Sequence, residues 1–260
     1  MMQNDNIIDI KNLTTQLGDT IILQDLNLSI KRGEVLGIVG GSGSGKTTLM
    51  RAILSLTKAT SGSIRVFGHE ITTATPETLL KIQKRWGVLF QSNALFSSLT
   101  LLENVIFPLK EHTQLGLTDL QDLALLKILM AGLPADAASK FPAELSGGMQ
   151  KRGGLARAIV LDPELIFLDE PTAGLDPETA AGFDDLILNL QSTMGLTIVM
   201  VTHDLDSLWK VTNRVAFLGN KKVISVDSMP ALVKNSDPLI QAFFGGSRGR
   251  AAEQGYHHGY

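Results

Sequence analysis

A glycine-rich segment lies where an apolar stretch meets a helical pattern, and its composition is that of a phosphate-binding loop. The run "GEVLGIVG" continues into "GSGSGKTT", and "KTTLMRAILSL" then places apolar residues at helical spacing. Glycines let backbone N–H groups converge on phosphate oxygens, and a helix N-terminus favours negative charge. The Lys46 amine adds a positive charge, and the Thr47 hydroxyl is a ligand suited to Mg²⁺. The residues predicted to bind nucleotide phosphates are Gly40, Gly41, Ser42, Gly43, Ser44, Gly45, Lys46, Thr47 and Thr48.

Two adjacent carboxylates follow a second apolar run. In "ELIFLDEP", Asp169 and Glu170 stand at the carboxyl end of a predicted strand, where open α/β sheets bind ligands. We predict that Asp169 holds Mg²⁺ through water. Glu170 is then placed to accept a proton from an attacking water, as a catalytic base.

His203 and Gln91 also follow predicted strands. His203 ends "IVMVTH", and we expect this strand to lie in the same sheet as the one before Asp169, so His203 is predicted to contact a γ-phosphate. Gln91 follows "WGVLF", and its amide is predicted to join the Mg²⁺ or water shell. Both residues join Lys46 and Glu170 in the predicted site.

The order of patterns along the chain indicates one α/β domain over residues 1–245. Short strand patterns come first, a mostly helical region covers about 92–160, and strands separated by helices follow, as in parallel βαβ units. Asn220 lies between two strand patterns and predicts a hairpin. Residues 246–260 are polar and glycine-rich, which predicts an extended tail.

Composition excludes several classes of site. The chain has no cysteine, which excludes disulfides and thiolate metal sites. Its net charge of −3, without a basic stripe, disfavours nucleic acid as a partner. The longest apolar runs are far shorter than the ~20 residues that span a bilayer. We therefore predict a soluble chain whose contact with a membrane comes only through partners.

These motifs, in their order, resemble the ATP-hydrolysing subunit of an ABC transporter. The motifs that carry the resemblance are "GGSGSGKTT", Gln91, "LSGGM", "LIFLDEP", "AGLDP" and "VTHD". The resemblance implies an ATPase with the P-loop NTPase cassette fold of that family. That fold has a mostly parallel central sheet, an N-terminal antiparallel β subdomain and a helical insertion. ATP and Mg²⁺ are the implied ligands.

The resemblance also implies that two copies of the chain pair head to tail. The signature motif, "LSGGM", of one copy then covers the ATP held by the phosphate loop of the other. The signature residues are Ser146, Gly147, Gly148 and Met149, and Asp176 of "AGLDP" is expected at the dimer seam.

A narrower resemblance links the chain to the ATPases of Mla-type phospholipid transporters. It depends on the stretch "LFQSNALFSSLTLLENVIFPLKEHTQL" and on methionine in "SGGM". The implied partners are a transmembrane permease pair, an MCE-domain lipid-binding protein and a small STAS-domain protein. The implied place is peripheral, on the cytoplasmic face of the bacterial inner membrane. The region from Gln91 to Phe107 would receive a cytoplasmic helix of the permease.

Alternatives remain at the level of the sequence. The motifs contact ATP and not cargo, so import of a polar solute such as an amino acid stays open. A non-transport ABC ATPase is disfavoured, because neither a coiled-coil arm nor a second cassette is present. Leu17 stands where many relatives place an aromatic residue against adenine, and we expect it to bind the nucleotide by packing against the base without aromatic stacking. Gly153 and Gly154 indicate either tolerated variation on a buried helix or close helix approach.

Overall fold

The computed structural model describes residues 5–245 and Ala252, which form two compact units. One unit holds the chain up to Ile82 and again from Val199, and the other holds Gln83–Ile198. The strands are β1 (Asn6–Leu17), β2 (Thr20–Lys31), β3 (Val35–Gly40), β4 (Ser61–Val66), β5 (His69–Glu70), β6 (Trp86–Leu89), β7 (Leu165–Asp169), β8 (Thr197–Val201), β9 (Arg214–Gly219) and β10 (Lys222–Asp227). The helices are α1 (Lys46–Ile53), α2 (Pro76–Gln83), α3 (Leu101–His112), α4 (Leu117–Met130), α5 (Gly147–Ala158), α6 (Pro177–Met194), α7 (Leu205–Val211), α8 (Met229–Val233) and α9 (Pro238–Phe244). Among the residues described, none of the helices combines the length and the apolar character needed to span a membrane.

The N-terminal strands form an antiparallel sheet in the order β2-β1-β4-β5. Gly18, with a φ of 57°, lies in the turn that joins β1 to β2. Leu26, Leu28 and Ile30 of β2 are buried while the residues between them are more exposed, as in a sheet with one face on the core. The predicted antiparallel N-terminal sheet is therefore confirmed.

A further set of strands in the first unit is ordered β10-β9-β3. β3 is buried along its whole length and pairs in parallel with β9, where Gly40 lies opposite Leu218. β10 returns antiparallel to β9 through Asn220 and Lys221, whose φ values are 49° and 65°. Positive φ at both central residues is what a tight type I′ hairpin requires. The predicted hairpin at Asn220 is confirmed.

In the second unit, β6 and β7 pair in parallel, with Trp86 opposite Leu165. β7 is buried from Leu165 to Leu168 and becomes half-buried at Asp169. A strand that packs on both faces is a continuous apolar run, which explains why "LIFL" shows no alternation. Parallel pairing in both units agrees with the predicted α/β class.

Helices α3, α4 and α5 contribute to a shared apolar core in the second unit. Its fully buried members include Leu101, Val105, Ala124, Ile128 and Ala156. Helix α3 begins at a capping box in which Thr100 Oγ1 accepts the N–H of Glu103, and Glu103 Oε2 accepts the N–H of Thr100. This arrangement satisfies two backbone donors at the helix start and fixes where α3 begins.

The tail predicted over residues 246–260 lies outside the described residues except for Ala252. Ala252 is buried in an apolar cluster of the first unit, together with Trp209, Phe217 and Phe244. This one residue therefore packs on the same unit of its own chain.

Gly153 and Gly154 lie where α5 packs closely against the end of β6 and the start of α3. A Cβ atom on Gly153 would lie 2.6 Å from Leu101 Cδ1, and one on Gly154 would lie 2.7 Å from Leu89 Cδ1. Both distances are shorter than van der Waals contact, so a side chain on either glycine would force the facing leucine side chain or the helix to shift. Of the two interpretations that the sequence left open, the structure supports close approach.

We expect Gly154→Val to lower the free energy of unfolding by about 1–3 kcal/mol, because it overpacks a filled contact. Urea or thermal unfolding of the full-length chain measures the effect. Gly182→Ala is the control, because a Cβ at that position in α6 meets only Arg152 Nη2, at 3.7 Å. This control should be neutral or stabilising, since alanine favours helix over glycine. Equal losses in both variants would contradict the packing explanation.

Candidate functional site

The phosphate loop joins β3 to α1 within the first unit. β3 ends at Gly40 and α1 begins at Lys46, as the motif predicts. Lys46 Nζ donates to the carbonyl oxygens of Gly40 and Gly41, at 2.8 and 3.0 Å. Gly41, Ser42 and Gly43 are exposed. An anion can replace the two carbonyls as the acceptor for this amine, because a charged acceptor forms a stronger hydrogen bond with an ammonium group.

Gly45, the residue before α1, has a φ of 98° and packs against the β1–β2 hairpin. A Cβ on Gly45 would lie 2.6 Å from Leu23 Cδ2 in β2. Leu17, at the end of β1 in the same hairpin, is 73% exposed. The hairpin therefore touches the loop and also carries the exposed leucine that we predicted to pack against a base.

Ser44 carries the clearest unmet polar group of the loop. Its Oγ atom is buried and has no hydrogen-bond partner among the described residues. Leaving such a group unpaired costs about 1–3 kcal/mol, and a phosphate oxygen would supply the missing acceptor. The Thr47 side chain is exposed in the first turn of α1, beside half-buried Thr48, and that turn contains no acidic residue. These features fit a nucleotide phosphate.

His203 lies in the first unit, two residues after the end of β8, and is exposed. The turn that carries it is fixed on both sides by hydrogen bonds. Thr202 Oγ1 accepts the N–H of Asp204, and Asp204 caps α7 by accepting the N–H groups of Asp206 and Ser207. The imidazole is thus presented on a short, locally stabilised turn.

Asp169 and Glu170 stand at the end of β7 in the second unit. Burial raises the pKa of the Asp169 carboxyl, and the neighbouring Glu170 charge adds to this shift while Lys151 opposes it. Glu170 has a φ of 49°, a left-handed conformation that costs a non-glycine residue about 1–3 kcal/mol. Strain of this kind is common where a side chain must be aimed at a ligand.

Lys151 of α5 contacts two segments of the chain, one at Gln91 and one at Glu170. The sequence did not predict a role for this residue. It is 4% exposed, and its Nζ donates to the carbonyl oxygens of Gln91 and Glu170, at 2.7 and 3.1 Å. Burial lowers the pKa of its amine, and the charges of Asp169 and Glu170 oppose that shift. Lys151 is one of three basic residues in α5, so the sequence carries no signal that distinguishes it.

The segment that begins at Gln91 is held by α5 in a non-regular conformation. Asn93 and Ala94 have φ values of 61° and 52°, and Arg157 donates to their carbonyl oxygens at 2.9 and 2.8 Å. Gln91 is exposed and lines an open cavity of about 480 Å³ whose wall also includes Asp169. The structure therefore brings together two of the three predicted Mg²⁺ ligands.

The signature residues form the N-terminus of α5. Ser146 caps the helix, its Oγ accepting the N–H of Met149 at 3.3 Å, and the Met149 side chain packs on the helical core. A hydroxyl that accepts one hydrogen bond still has its own proton to donate. Gly148 approaches Thr179 of α6 so closely that a Cβ would lie 2.8 Å from its methyl carbon.

Asp176 lies beside the signature residues, because it is hydrogen-bonded to Thr179, which Gly148 approaches closely. It caps α6 by accepting the N–H of Thr179 at 3.0 Å, and its other oxygen accepts the Thr179 hydroxyl at 2.6 Å. These hydrogen bonds lower the pKa of the exposed Asp176 carboxyl. Two motifs that are distant in sequence thus share one surface of the second unit.

The predicted site residues divide between the two units. The first unit contains Leu17, the phosphate loop and His203. The second unit brings together Gln91, Asp169 and Glu170 around Lys151, with the signature residues and Asp176 at the starts of α5 and α6.

The family model described as "ABC transporter" matches residues 23–173, more than half of the chain. The protein is an ABC transporter ATPase. The family resemblance read from the ordered motifs is thereby confirmed, and so is ATP as a ligand.

Two groups of curated relatives match this ABC ATPase over most of its length. The intermembrane phospholipid transport system ATP-binding protein MlaF of Haemophilus influenzae is 38% identical, over 94% of this chain and 92% of that protein. MlaF of Escherichia coli K12 is 38% identical, over 93% and 89%. The probable ribonucleotide transport ATP-binding protein mkl of Mycobacterium leprae is 37% identical, over 93% and 69%.

Solved ABC cassettes share the fold. The cassette MJ0796, captured as a dimer bound to ADP and Pi after hydrolysis, has a TM-score of 0.78 and 33% identity, covering 85% of this chain and 98% of that one. The cbiO1 cassette of Clostridium perfringens has a TM-score of 0.79 and 27% identity, covering 96% and 99%. The predicted cassette fold is confirmed, and dimers occur among its relatives.

We expect Gly45→Ala to weaken ATP binding by about tenfold or more, equivalent to about 1.4 kcal/mol, because the new methyl group displaces either the loop or the hairpin. Titration of the full-length chain with ATP measures it. Gly68→Ala is the control, since Gly68 also has a positive φ, 79°, but a Cβ there meets nothing within 4 Å. A similar loss of affinity in the control would show that the effect is not specific to the phosphate loop.

Proposed function

We propose that this ABC ATPase powers phospholipid transport between membranes, by ATP-driven pairing of two copies beneath a partner permease. The observation that carries the proposal is the alignment with the Haemophilus influenzae protein, which is named for intermembrane phospholipid transport. It covers 94% of this chain and 92% of that protein, so little of either lies outside the match. The methionine of the signature motif and the stretch after Gln91 support the same branch.

The main competing cargo is a polar solute. The Mycobacterium leprae relative, whose name indicates ribonucleotide transport, is almost equally identical, but this chain covers only 69% of it. Import of an amino acid would use the same ATP-contacting motifs. The chain agrees better in length with the Haemophilus influenzae protein, which favours phospholipid as the cargo.

Thr47, Gln91 and Asp169 are the residues that would hold Mg²⁺, the last of them through water. Hydroxyl, amide and carboxylate oxygens are the donors that this hard cation prefers, so the residues fit the ion. The ion would neutralise charge on the nucleotide phosphates.

Hydrolysis is assigned to groups around the γ-phosphate of ATP. Glu170 accepts the proton of the attacking water, and its left-handed backbone, with the carbonyl held by Lys151, restricts where its side chain can reach. Lys46 supplies positive charge to the phosphates, and His203 contacts the γ-phosphate from its exposed turn.

ATP joins two copies of the chain. Ser146, Gly147, Gly148 and Met149 of one copy cover the γ-phosphate bound by the other, using the Ser146 hydroxyl and the N-terminus of the twelve-residue α5. Asp176 lies at the same seam, which its position beside Gly148 and Thr179 supports.

The permease contact is assigned to the face between Gln91 and Phe107. Phe96 and Phe107 are 45% and 41% exposed with ring centroids 5.0 Å apart, an aromatic pair suited to an apolar helix. The permease pair would hold the ATPase peripherally on the cytoplasmic face of the bacterial inner membrane. An MCE-domain lipid-binding protein and a small STAS-domain protein complete the proposed complex.

We expect Glu170→Gln to retain ATP binding and to accumulate closed dimer, while hydrolysis falls by at least about 100-fold for lack of a base. Phosphate release and size-exclusion chromatography in ATP measure these effects. Lys46→Ala is the matched comparison and should lose ATP affinity instead. Wild-type turnover in Glu170→Gln would remove Glu170 as the base.

We expect the complex purified from native membranes through this chain to contain a permease, an MCE-domain protein and bound phospholipid. Mass spectrometry of proteins and extracted lipids tests this. Recovery of a soluble solute-binding protein, with no lipid above the level of a mock purification, would contradict the phospholipid assignment and favour the importer.

A further inference from the structure

The Lys151 side chain links two segments of the proposed catalytic machinery without belonging to either. Its amine, on a residue that is 4% exposed, donates to Gln91 O at 2.7 Å and to Glu170 O at 3.1 Å. Gln91 and Glu170 are far apart in sequence. The Lys151 Nζ atom therefore joins these two segments through a single side-chain atom.

A buried ammonium group is costly unless its donors are satisfied and its charge is balanced. Here two carbonyl oxygens accept from the amine, and the Asp169 and Glu170 carboxylates supply favourable charge. An apolar side chain would fill the same space without desolvating a charge. A lysine at this point therefore indicates a requirement for the two hydrogen bonds.

We propose that Lys151 is a positioning residue for ATP hydrolysis, which holds the backbone of Gln91 and of Glu170 at a fixed separation. This proposal rests on the roles assigned above to those two residues. Each carbonyl belongs to the residue whose side chain acts on ATP, so movement of either backbone moves a functional group. Lys151 itself does not touch substrate.

Helix α5 connects Lys151 to the signature motif. The helix begins at Ser146, the signature residue assigned to the ATP of the second copy, and Lys151 follows within the next two turns. The same rigid element therefore joins the signature end to the residues that serve the chain's own nucleotide. Any displacement of α5 would therefore move both hydrogen bonds of Lys151 together.

The competing explanation is that Lys151 only stabilises the fold, and Lys127 provides a matched control. Lys127, in α4 of the same unit, is 5% exposed and pairs with Asp162. Lys127→Met and Lys151→Met each remove one buried ammonium group and keep the volume of the side chain similar. Of these two lysines, only Lys151 donates to the segments of the proposed site.

The test measures steady-state ATP hydrolysis by the full-length chain in the complex with its membrane partners, with thermal unfolding of each variant. In Lys151→Met, kcat should fall by about ten- to a hundredfold while KM for ATP stays within about twofold, because misplacement affects the reaction more than binding. Lys151→Arg should recover most of kcat, since a guanidinium carries donors for both carbonyls. Lys127→Met should lose stability but retain kcat.

Unchanged kcat in Lys151→Met would overturn the proposal. So would an equal fall of kcat in Lys127→Met, or equal losses in the methionine and arginine variants of Lys151. Glu170→Gln assayed alongside separates this outcome from the proposed function. Wild-type turnover in Glu170→Gln refutes the base assignment, whereas a defect in Glu170→Gln without one in Lys151→Met refutes only the role of Lys151.

Discussion

The close contact of α5 with the chain between Leu89 and Leu101 is the constraint on which the second unit depends. Gly153 and Gly154 remove the side chains that would separate the helix from Leu101 and Leu89. At this distance Arg157 reaches the carbonyl oxygens of Asn93 and Ala94, and Lys151 reaches that of Gln91. These carbonyls belong to an irregular segment, and a buried carbonyl without a partner would be costly. The close packing of α5 therefore also places Lys151 and Arg157 where they can donate to these carbonyls.

Because α5 bonds to so many neighbours, it connects sites that the sequence keeps apart. Its N-terminus carries Ser146, its middle contacts Glu170 through Lys151, and Arg152 donates to the carbonyl oxygens of Ala131 and Gly182. An α-helix is stiff over twelve residues, so a force at one end is transmitted to the other. The arrangement suits an ATPase in which nucleotide binding must be communicated to a partner.

The phosphate loop solves a different problem. Its glycines expose backbone, the Lys46 amine rests on two carbonyl oxygens, and Ser44 Oγ is left without a partner among the described residues. The loop thus keeps hydrogen-bonding groups available for a ligand. The unpaired Ser44 hydroxyl lowers stability, and the apolar burial of β3 and of one side of α1 offsets this loss. The left-handed Glu170 is a second local cost. Such departures from ideal structure are expected where binding and reaction occur.

The sequence by itself determined the features that depend on neighbouring residues. A phosphate loop, a capped helix such as α5 or α6, and a strand that ends in Asp169 are each specified within a few positions, because their geometry is local. The Asn220 hairpin followed from turn chemistry for the same reason, whereas the antiparallel N-terminal sheet was implied by the family resemblance.

Only the tertiary structure decided what Lys151, Arg157 and the glycine pair do. The acceptors of Lys151 and Arg157 include backbone carbonyls of Gln91 and Asn93, which are 60 and 64 positions away in sequence. A backbone carbonyl is present at every residue, so no residue type marks it as a partner. The space that a glycine leaves is likewise defined by the atoms packed against it and not by its neighbours in the chain. The roles of these residues therefore depend on long-range packing, which a local sequence pattern does not reveal.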